Sequence, residues 1–325
     1  MTKAIALAVA IPFSFCLLVA PAQAQSVRTY VSSAGTDGNN CGRSTPCRTF
    51  QAAHDKTLPG GEITVLDQGN FATLAITKSI SIVNEGIGQA SILVGNGDTG
   101  LTINAPNANV NLRGLTIEGV GDSRGVLVSS VLSLTMTNCN VRNHTGDGID
   151  IVPANDSNIK ISNTLVTDNG GNGIYIQPSG SYRVGVIRII LNRVEVYGSG
   201  THGIAVAGDF AGGPTVGVTV ADSVVSHSGA GGIVNSTVGP SGANTQVSVF
   251  RSVISYNGTG VIHVASGYNT ASFFELGGSS IEGNTTSRSG NGGFTSWGDN
   301  YLRQFNNNFP DFPPGESLGT PLNRK

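Results

Sequence analysis

Apolar residues recur in pairs, two positions apart, along most of the chain. A glycine precedes six of the seven pairs, and the steps between successive pairs are 25, 23, 25, 30, 29 and 29 residues. Apolar side chains at alternate positions predict short strands with one buried face. The pairs of this first register are Leu101/Ile103, Val126/Val128, Ile149/Ile151, Ile174/Ile176, Ile204/Val206, Ile233/Asn235 and Ile262/Val264.

A second set of apolar residues, five positions apart, advances together with the first. Its steps are 24, 25, 30, 29, 29 and 27 residues, so both sets follow one repeating unit. Each unit therefore contains more than one strand, and polar turns join the strands. The pairs of this second register are Leu112/Ile117, Met136/Val141, Ile161/Val166, Leu191/Val196, Val220/Val225, Val249/Ile254 and Leu276/Ile281.

Residues 61–290 form one repeat array, and most known repeat architectures do not fit it. Helical repeats lack the alternation of two, propeller blades need about 40 residues per unit, and leucine does not dominate the apolar positions. The pattern predicts an all-β solenoid, a parallel β-helix with about three short strands in each coil. Corresponding strands of successive coils would then pair about 4.8 Å apart around a shared core.

The two ends of the chain differ from the array. Residues 1–24 combine Lys3, an apolar stretch over Ala4–Ala20 and the small residues Ala22 and Ala24, which predicts a signal peptide and an exported protein, secreted or periplasmic. No membrane span is expected after its removal. Residues 25–60 hold a short strand and a helix that we expect to cap the first coil. Residues 291–325 are predicted to be a C-terminal cap and tail, in which aromatic residues close the core: Trp297, Tyr301, Phe305 and Phe309.

The net charge and the cysteines limit which partners and which chemistry we expect for this chain. The formal net charge is −2, which gives a nucleic-acid partner no electrostatic support. Cys41 and Cys47 flank a short loop, and in an exported protein we expect them to form a disulfide. Cys139 falls in an inward column and is expected to be a small buried side chain rather than a nucleophile.

Three further polar residues stand out. His144 and His227 lie in the turns that follow the second register, where stacked polar side chains satisfy backbone groups. Asn235 occupies an inward position at which every other coil has Ile or Val, so it needs hydrogen-bond partners if it is buried.

Several segments resemble a known family. The segment YVSSAGTDGNN…TFQAAHD, the first coil GGEITVLDQGNF and the recurring N-x-G-x-GI strands are similar to the pectate-lyase-like superfamily of right-handed parallel β-helices, and more narrowly to secreted bacterial right-handed β-helix repeat proteins. The resemblance spans nearly all of residues 27–300. It implies a right-handed coil, but it implies no single activity, since the superfamily includes lyases, hydrolases, epimerases and non-catalytic binding or adhesive proteins.

The registers also place polar residues above one another on one face. The residue before each glycine and the outward residue between each apolar pair form two neighbouring columns. Together they would offer groups suited to a sugar chain laid along the first strands, and the resemblance implies a substrate groove on such a face. Ordinary turn chemistry, in which these residue types satisfy the local backbone, is the alternative interpretation. The candidates are Asp147, Asp150 and His202 as catalytic residues and Arg124, Asn172 and Tyr175 as substrate-binding residues. A column continuing to His263 is expected on the same face.

Two enzyme templates of the superfamily are incomplete here. Polygalacturonases carry Asn-Thr-Asp-Gly, a paired Asp-Asp and Gly-His-Gly. In this chain Thr145–Asp150 resembles the first motif and Thr201-His202-Gly203 resembles the third. The paired aspartates are missing, because the corresponding stretch is Thr167-Asp168-Asn169. Pectate lyases gather several carboxylates on Ca²⁺ and use an Arg as base, for which Arg124 or Arg183 could serve. A Ca²⁺ site on this face is conceivable but unsupported, since only Asp147 and Asp150 lie close together there, and no other cofactor or metal site is expected.

Three functions therefore stay open. The sequence favours an exported β-helix that binds a polysaccharide or surface glycan along its first-strand face. A polysaccharide lyase or glycoside hydrolase using the same residues is the second, so enzymatic activity is undecided. A structural or adhesive surface protein is the third. The oligomeric state is left open.

Overall fold

The computed structural model of the protein describes residues 26–95, 97–121, 124–179, 185–208, 213–238, 244–265 and 272–304. The predicted signal peptide and Arg183 lie outside the described residues, as do Phe305 and Phe309. Within the described ranges, no helix has both the length and the apolar character needed to cross a membrane.

The described residues form one helix, α1 (Phe50–Lys56), and 26 strands. The first nine strands are β1 (Ser26–Val31), β2 (Thr57–Val65), β3 (Gly69–Asn70), β4 (Leu74–Ile76), β5 (Ile80–Val83), β6 (Ala90–Val94), β7 (Thr99–Arg113), β8 (Leu115–Gly119) and β9 (Arg124–Thr137). The next nine are β10 (Asn140–Arg142), β11 (Ile149–Ile151), β12 (Ser157–Thr167), β13 (Ile174–Ile176), β14 (Val186–Tyr197), β15 (His202–Ala207), β16 (Thr215–Ala221), β17 (Val224–Ser226) and β18 (Gly231–Thr237). The last eight are β19 (Asn244–Phe250), β20 (Val253–Ser255), β21 (Thr259–Ala265), β22 (Phe273–Gly277), β23 (Ser280–Asn284), β24 (Thr286–Ser289), β25 (Phe294–Ser296) and β26 (Tyr301–Gln304).

All of the strand ladders are parallel, and they stack into three sheets around one core. The first sheet runs from β4 through the start of β7 and β9 to β11, β13, β15, β18 and β21. The second runs through the ends of β7 and β9 to β12, β14, β16, β19 and β22. The third joins β6, β8, β10, the ends of β12 and β14, β17, β20 and β23. The predicted fold class, an all-β right-handed parallel β-helix with a short capping helix, is confirmed, with about nine coils.

The first register is confirmed for six of its seven pairs. Ile149 and Ile151 of β11 pair with Val126 and Val128 on one side and with the equivalent residues of β13 on the other. The six pairs stack from Leu101 to Asn235 without a slip, and their side chains fill the core.

The seventh pair was predicted one residue too far along. Ile233 pairs with Val261 and Asn235 pairs with His263, so Val261 and His263 face inward. The prediction that His263 continues the outward column is therefore wrong, and Ile262 takes that place. Gly260 sets this register, because a Cβ there would lie 2.6 Å from Ser287 O of the next coil.

The second register is confirmed throughout, and the structure explains its spacing of five. Ile161 ends a second-sheet segment and Val166 lies in the third sheet, with a sharp corner between them. A residue with positive φ forms this corner in successive coils, such as Asn138 (φ 54°), Asn163 (φ 48°) and Asp222 (φ 52°). Asn, Asp and Gly adopt this conformation at little cost, whereas Arg193 (φ 51°) and Arg251 (φ 46°) occupy the same corner in two other coils.

A column of buried polar side chains lines the corner between the third and first sheets. The asparagine side-chain oxygens accept from a backbone N–H of the preceding coil: Asn169 Oδ1 from His144 (3.2 Å), Asn257 Oδ1 from Ser228 (2.9 Å) and Asn284 Oδ1 from Asn257 (2.9 Å). The prediction for His144 as a stacked turn residue is confirmed. The column comprises His144, Asn169, Ser199, Ser228, Asn257 and Asn284.

The N-terminal coil is closed by α1. Thr49 Oγ1 accepts from Ala52 N–H (3.2 Å) and so begins the helix, whose Phe50 and Ala53 are buried. The Phe50 ring packs against that of Phe71, with ring centroids 5.0 Å apart. The predicted Cys41–Cys47 disulfide is confirmed, and Cys139 is buried as expected.

At the other end, the rings of Phe274 and Phe294 close the described core, with centroids 5.2 Å apart. Trp297 instead contacts Phe250 in the outward column of the second sheet, and Tyr301 is 53% exposed. These two aromatic residues therefore do not close the core as expected.

Candidate functional site

Four of the predicted site residues form one row at the start of the first sheet. Each precedes the glycine that begins a first-sheet strand, and backbone hydrogen bonds join neighbouring coils at this level. Gly125 N–H donates to Asp147 O (3.2 Å), and Gly173 N–H donates to the carbonyl of the next coil (2.9 Å). The row is Arg124, Asp147, Asn172 and His202, as predicted.

Side-chain hydrogen bonds connect the row. Asp147 Oδ1 accepts from both the backbone N–H of Asn172 (2.5 Å) and its Nδ2 (2.9 Å). Asn172 Oδ1 lies 3.1 Å from His202 Nδ1 and accepts from Thr201 Oγ1 (2.9 Å). Because an amide oxygen only accepts, His202 Nδ1 must carry a proton. Burial lowers the pKa of His202, which favours the neutral imidazole with its lone pair on Nε2.

Asp150 lies in the outward column of β11, beside this row. Arg124 NH1 is 2.7 Å from Asp150 Oδ2, and the Asp150 side chain is 6% exposed against 39% for Arg124. Asp150 Oδ1 is buried and receives no hydrogen bond from a described donor. Burial, and after it the charge and the side-chain hydrogen bond of Asp147, raise the pKa of Asp150 to about 7, while the charge of Arg124 opposes the rise.

Tyr175 occupies the outward position of the next coil, directly beside Asp150 in the ladder. Its side chain is half-buried. The structure thus brings all six predicted site residues onto one face.

A groove of about 410 Å³ runs along the opposite edge of the first sheet, where its strands end. Its described lining residues are uncharged and combine amide and hydroxyl groups with the apolar Val152, Ala154 and Pro178. Sequence reasoning missed it, although the polar residues Asn104, Ser129 and Gln177, which follow three of the apolar pairs, were a usable signal. The lining residues are Asn104, Ser129, Ser130, Val152, Ala154, Gln177, Pro178 and Ser179.

Three exposed rings stack at the corner that leads into the first sheet. Tyr197 and His227 have ring centroids 4.6 Å apart, and His227 and Tyr256 are 5.3 Å apart. His227 therefore lies beside, and not within, the buried polar column. A groove of about 480 Å³ adjoins the stack, with Gly229 and Gly258 among its lining residues.

The described residues provide only part of the catalytic groups that the two enzyme templates require. Among the described residues, no three or more His, Cys, Asp or Glu side chains gather as a metal site would require. Glycoside hydrolases hold two carboxylates at least about 5 Å apart, whereas Asp147 and Asp150 interact directly. Asn169, at the level of the missing paired aspartates, is buried in the polar column.

Comparison with known proteins supports the fold. Residues 63–211 match the family model described as "Right handed beta helix region". The structure is similar to the crystal structure of pectate lyase Pel9A, with 14% identity over 84% of this chain and 80% of that chain and a TM-score of 0.57. It is also similar to an alginate lyase from Paenibacillus sp. str. FPU-7, with 15% identity over 86% of this chain and 98% of that chain and a TM-score of 0.51.

A comparison with curated protein sequences gives no match. At the identities of the two structural neighbours, the similarity shows the fold alone. The chain thus has the right-handed parallel β-helix fold of pectate-lyase-like proteins, and its function has to be argued from the site itself.

Proposed function

We propose that this pectate-lyase-like right-handed β-helix is an exported protein that binds a polysaccharide or surface glycan along its first-sheet face. The observation that carries the proposal is the hydrogen-bonded row from Asp147 through Asn172 to His202, beside the Arg124–Asp150 ion pair. These side chains are held in place before a ligand arrives, which lowers the entropic cost of binding.

The geometry of the row suits a linear chain of sugars. Its members lie on successive coils about 4.8 Å apart, so a chain along the helix axis meets a new polar group at each coil. Tyr175 adds an aromatic side chain next to these groups, and aromatic rings with a polar tip are common in binding surfaces. The uncharged groove on the other edge of the first sheet would form the second wall.

Export is supported by the predicted signal peptide over residues 1–24 and by the Cys41–Cys47 disulfide, which is typical of oxidising compartments. Fractionation of expressing cells and N-terminal sequencing test this part. A mature chain that begins near Gln25 in the periplasm or medium is expected. Full-length chain in the cytoplasm would contradict export.

Binding is tested by affinity electrophoresis of the purified protein in gels that contain single polysaccharides. Retardation by at least one polysaccharide is expected, and Asn172→Ala should weaken it strongly, because that change removes three side-chain contacts of the row. The matched control is Asn158→Ala, at an exposed position of the second sheet. Equal loss in both variants, or no retardation by any polysaccharide, would refute the proposal and favour a structural or adhesive role.

One observation favours a lyase or hydrolase as the second candidate. Asp150 has its pKa raised to about 7, chiefly by burial, and the pKa of His202 on the same face is lowered, so the face contains groups able to give and take protons near neutral pH. Release of unsaturated products or new reducing ends from a polysaccharide, lost in Asp147→Asn and Asp150→Asn, would establish this function. Glu195→Gln, an exposed carboxylate of the third sheet, should leave such turnover unchanged.

A further inference from the structure

The proposed binding face carries little net charge, and this bears on which glycan it accepts. The face consists of two columns that run across successive coils. One column has seven described positions from Thr99 to Thr259, and the other has seven from Thr102 to Ile262. Arg124 is the one Lys or Arg among these fourteen. Among these fourteen described positions, the positive charge that faces an acidic ligand is therefore a single guanidinium.

That guanidinium is already engaged by an acidic residue of the same face. Arg124 NH1 lies 2.7 Å from Asp150 Oδ2. The second carboxylate, Asp147, receives its hydrogen bonds from the uncharged Asn172. With Asp150 protonated the face is neutral, and with Asp150 ionised it carries one negative charge.

The flanking groove continues the same character. Asn104, Ser130 and Gln177 present amides and a hydroxyl, and no charged side chain lines this groove among the described residues. Such groups exchange hydrogen bonds with sugar hydroxyls as donors and acceptors, and they supply no positive charge to balance a carboxylate.

A polyuronate brings one negative charge with every sugar. On this face it would approach the Asp147 carboxylate, and the nearby Arg124 guanidinium is already paired with Asp150. Among the described residues, no cluster of three or more His, Cys, Asp or Glu side chains could bind a metal ion that bridges the negative charges. Like charges brought together in an interface cost several kcal/mol. We infer that the ligand of this face is a neutral glycan, recognised through its hydroxyl groups, and that polyuronates are excluded. The inference rests on the proposed glycan binding.

The test is affinity electrophoresis of the purified protein at low and at high salt, with two sets of probes. Neutral probes are galactan, arabinan and mixed-linkage β-glucan; acidic probes are polygalacturonate and alginate. We expect binding to at least one neutral polysaccharide, unchanged by salt, and binding to both polyuronates weaker by about tenfold or more. Polyuronate binding that salt abolishes and that Arg124→Gln removes would overturn the inference and leave the glycan-binding proposal intact. Retardation by no probe would overturn both.

A gain-of-function variant tests the charge argument independently. The double variant Asp147→Asn/Asp150→Asn leaves Arg124 without an acidic neighbour on this face, so it should bind polyuronates at low salt about tenfold better than the wild type. The control is Glu195→Gln, which removes a negative charge from an exposed third-sheet position and should give no such gain. Circular dichroism confirms that each variant is folded. A folded double variant with unchanged polyuronate binding would contradict the inference.

Discussion

His263 lies directly beside Asn235 in the inward column of the first sheet, one coil further along, and both side chains are fully buried. His263 Nδ1 is 2.8 Å from Gly293 O, and its Nε2 is 3.0 Å from Ser272 Oγ. Because a carbonyl only accepts, Nδ1 carries the proton and the Ser272 hydroxyl donates to Nε2. Asn235 Nδ2 lies 3.3 Å from the same Ser272 Oγ. A hydrogen-bonded neutral imidazole thus replaces an aliphatic side chain in the core.

We predict that His263 makes folding less favourable in acid. Burial lowers the pKa of His263 in the folded state, against a weaker opposite effect of Gly293 O. The unfolded chain binds the proton at about pH 6.5, so the free energy of unfolding falls as the pH drops below that value towards the lower folded pKa. Urea unfolding at about pH 7.5 and about pH 5 should show a smaller acid-induced loss of stability in His263→Gln than in the wild type.

The control for this prediction is His227→Gln. His227 is exposed on the aromatic stack, so its replacement should leave the acid-induced loss close to that of the wild type. The buried His54 and the half-buried His202 also have lowered pKa values and will maintain part of the loss in His263→Gln. If His263→Gln and His227→Gln behave alike, the neutral buried imidazole is not the cause.

The same histidine shows where sequence reasoning stops. A polar residue between Ile262 and Val264 indicates an outward position by alternation, and His263 was assigned there. Its partner Ser272 lies nine residues further on, and no periodic pattern encodes that hydrogen bond. Gly260 is the better guide, since in the coils from Gly100 to Gly260 a glycine lies directly before the first inward residue of the first sheet, where neighbouring coils approach closely.

The sequence predicts which residues of the site share a column, but it does not predict which of their side chains interact. Equal positions in successive units must stack in a parallel β-helix, so the row from Arg124 to His202 followed from spacing alone. The ion pair between Arg124 and Asp150 joins two columns and two coils, and it depends on side-chain rotamers. The two grooves depend on the paths of the loops between strands, and the repeat pattern does not determine these paths.

We predict that Asp150→Asn raises stability at alkaline pH. The folded pKa of Asp150 is about 7, above its ordinary value, so the folded state binds the extra proton. The free energy of unfolding of the wild type therefore falls as the pH rises from about 4 to about 7. Asn cannot ionise, so at about pH 8 the variant should be more stable than the wild type by up to about 3 kcal/mol, with a smaller difference at about pH 4. A constant difference across this range would show that Asp150 is not perturbed.

Asp147 should influence the titration of its neighbour. Burial is the largest cause of the raised pKa of Asp150, and the Asp147 carboxylate is the next. Asp147→Asn removes that charge, so the pKa of Asp150 should drop below about 7 and remain above its ordinary value. An NMR titration of the Asp150 carboxyl carbon measures both. An unchanged titration curve would mean that the two carboxylates do not interact.

The core columns predict a large loss of stability on truncation. Ile161 is fully buried between Met136 and Leu191 of the neighbouring coils. Ile161→Ala removes apolar surface and leaves a cavity, so the free energy of unfolding should fall by about 2–5 kcal/mol in urea titrations. Lys160→Ala, at the adjacent outward position, should change it by less than about 0.5 kcal/mol. Similar effects in both variants would contradict the assignment of faces.

Substitution of Gly148 tests whether glycine is required there because adjacent coils pack closely or because of its backbone flexibility. A Cβ at Gly148 would lie 2.7 Å from Asn169 Nδ2, 2.8 Å from Gly173 O and 2.9 Å from Val166 Cγ1. Gly148→Ala must therefore push adjacent coils apart, and it should lower the free energy of unfolding by about 1–3 kcal/mol. Gly217 is the matched control, because a Cβ there meets nothing within 4 Å. Gly217→Ala should be neutral or stabilising by up to about 1 kcal/mol, since alanine restricts the unfolded chain. Thermal unfolding of both variants decides: equal losses would show that glycine is not required by the approach of the coils.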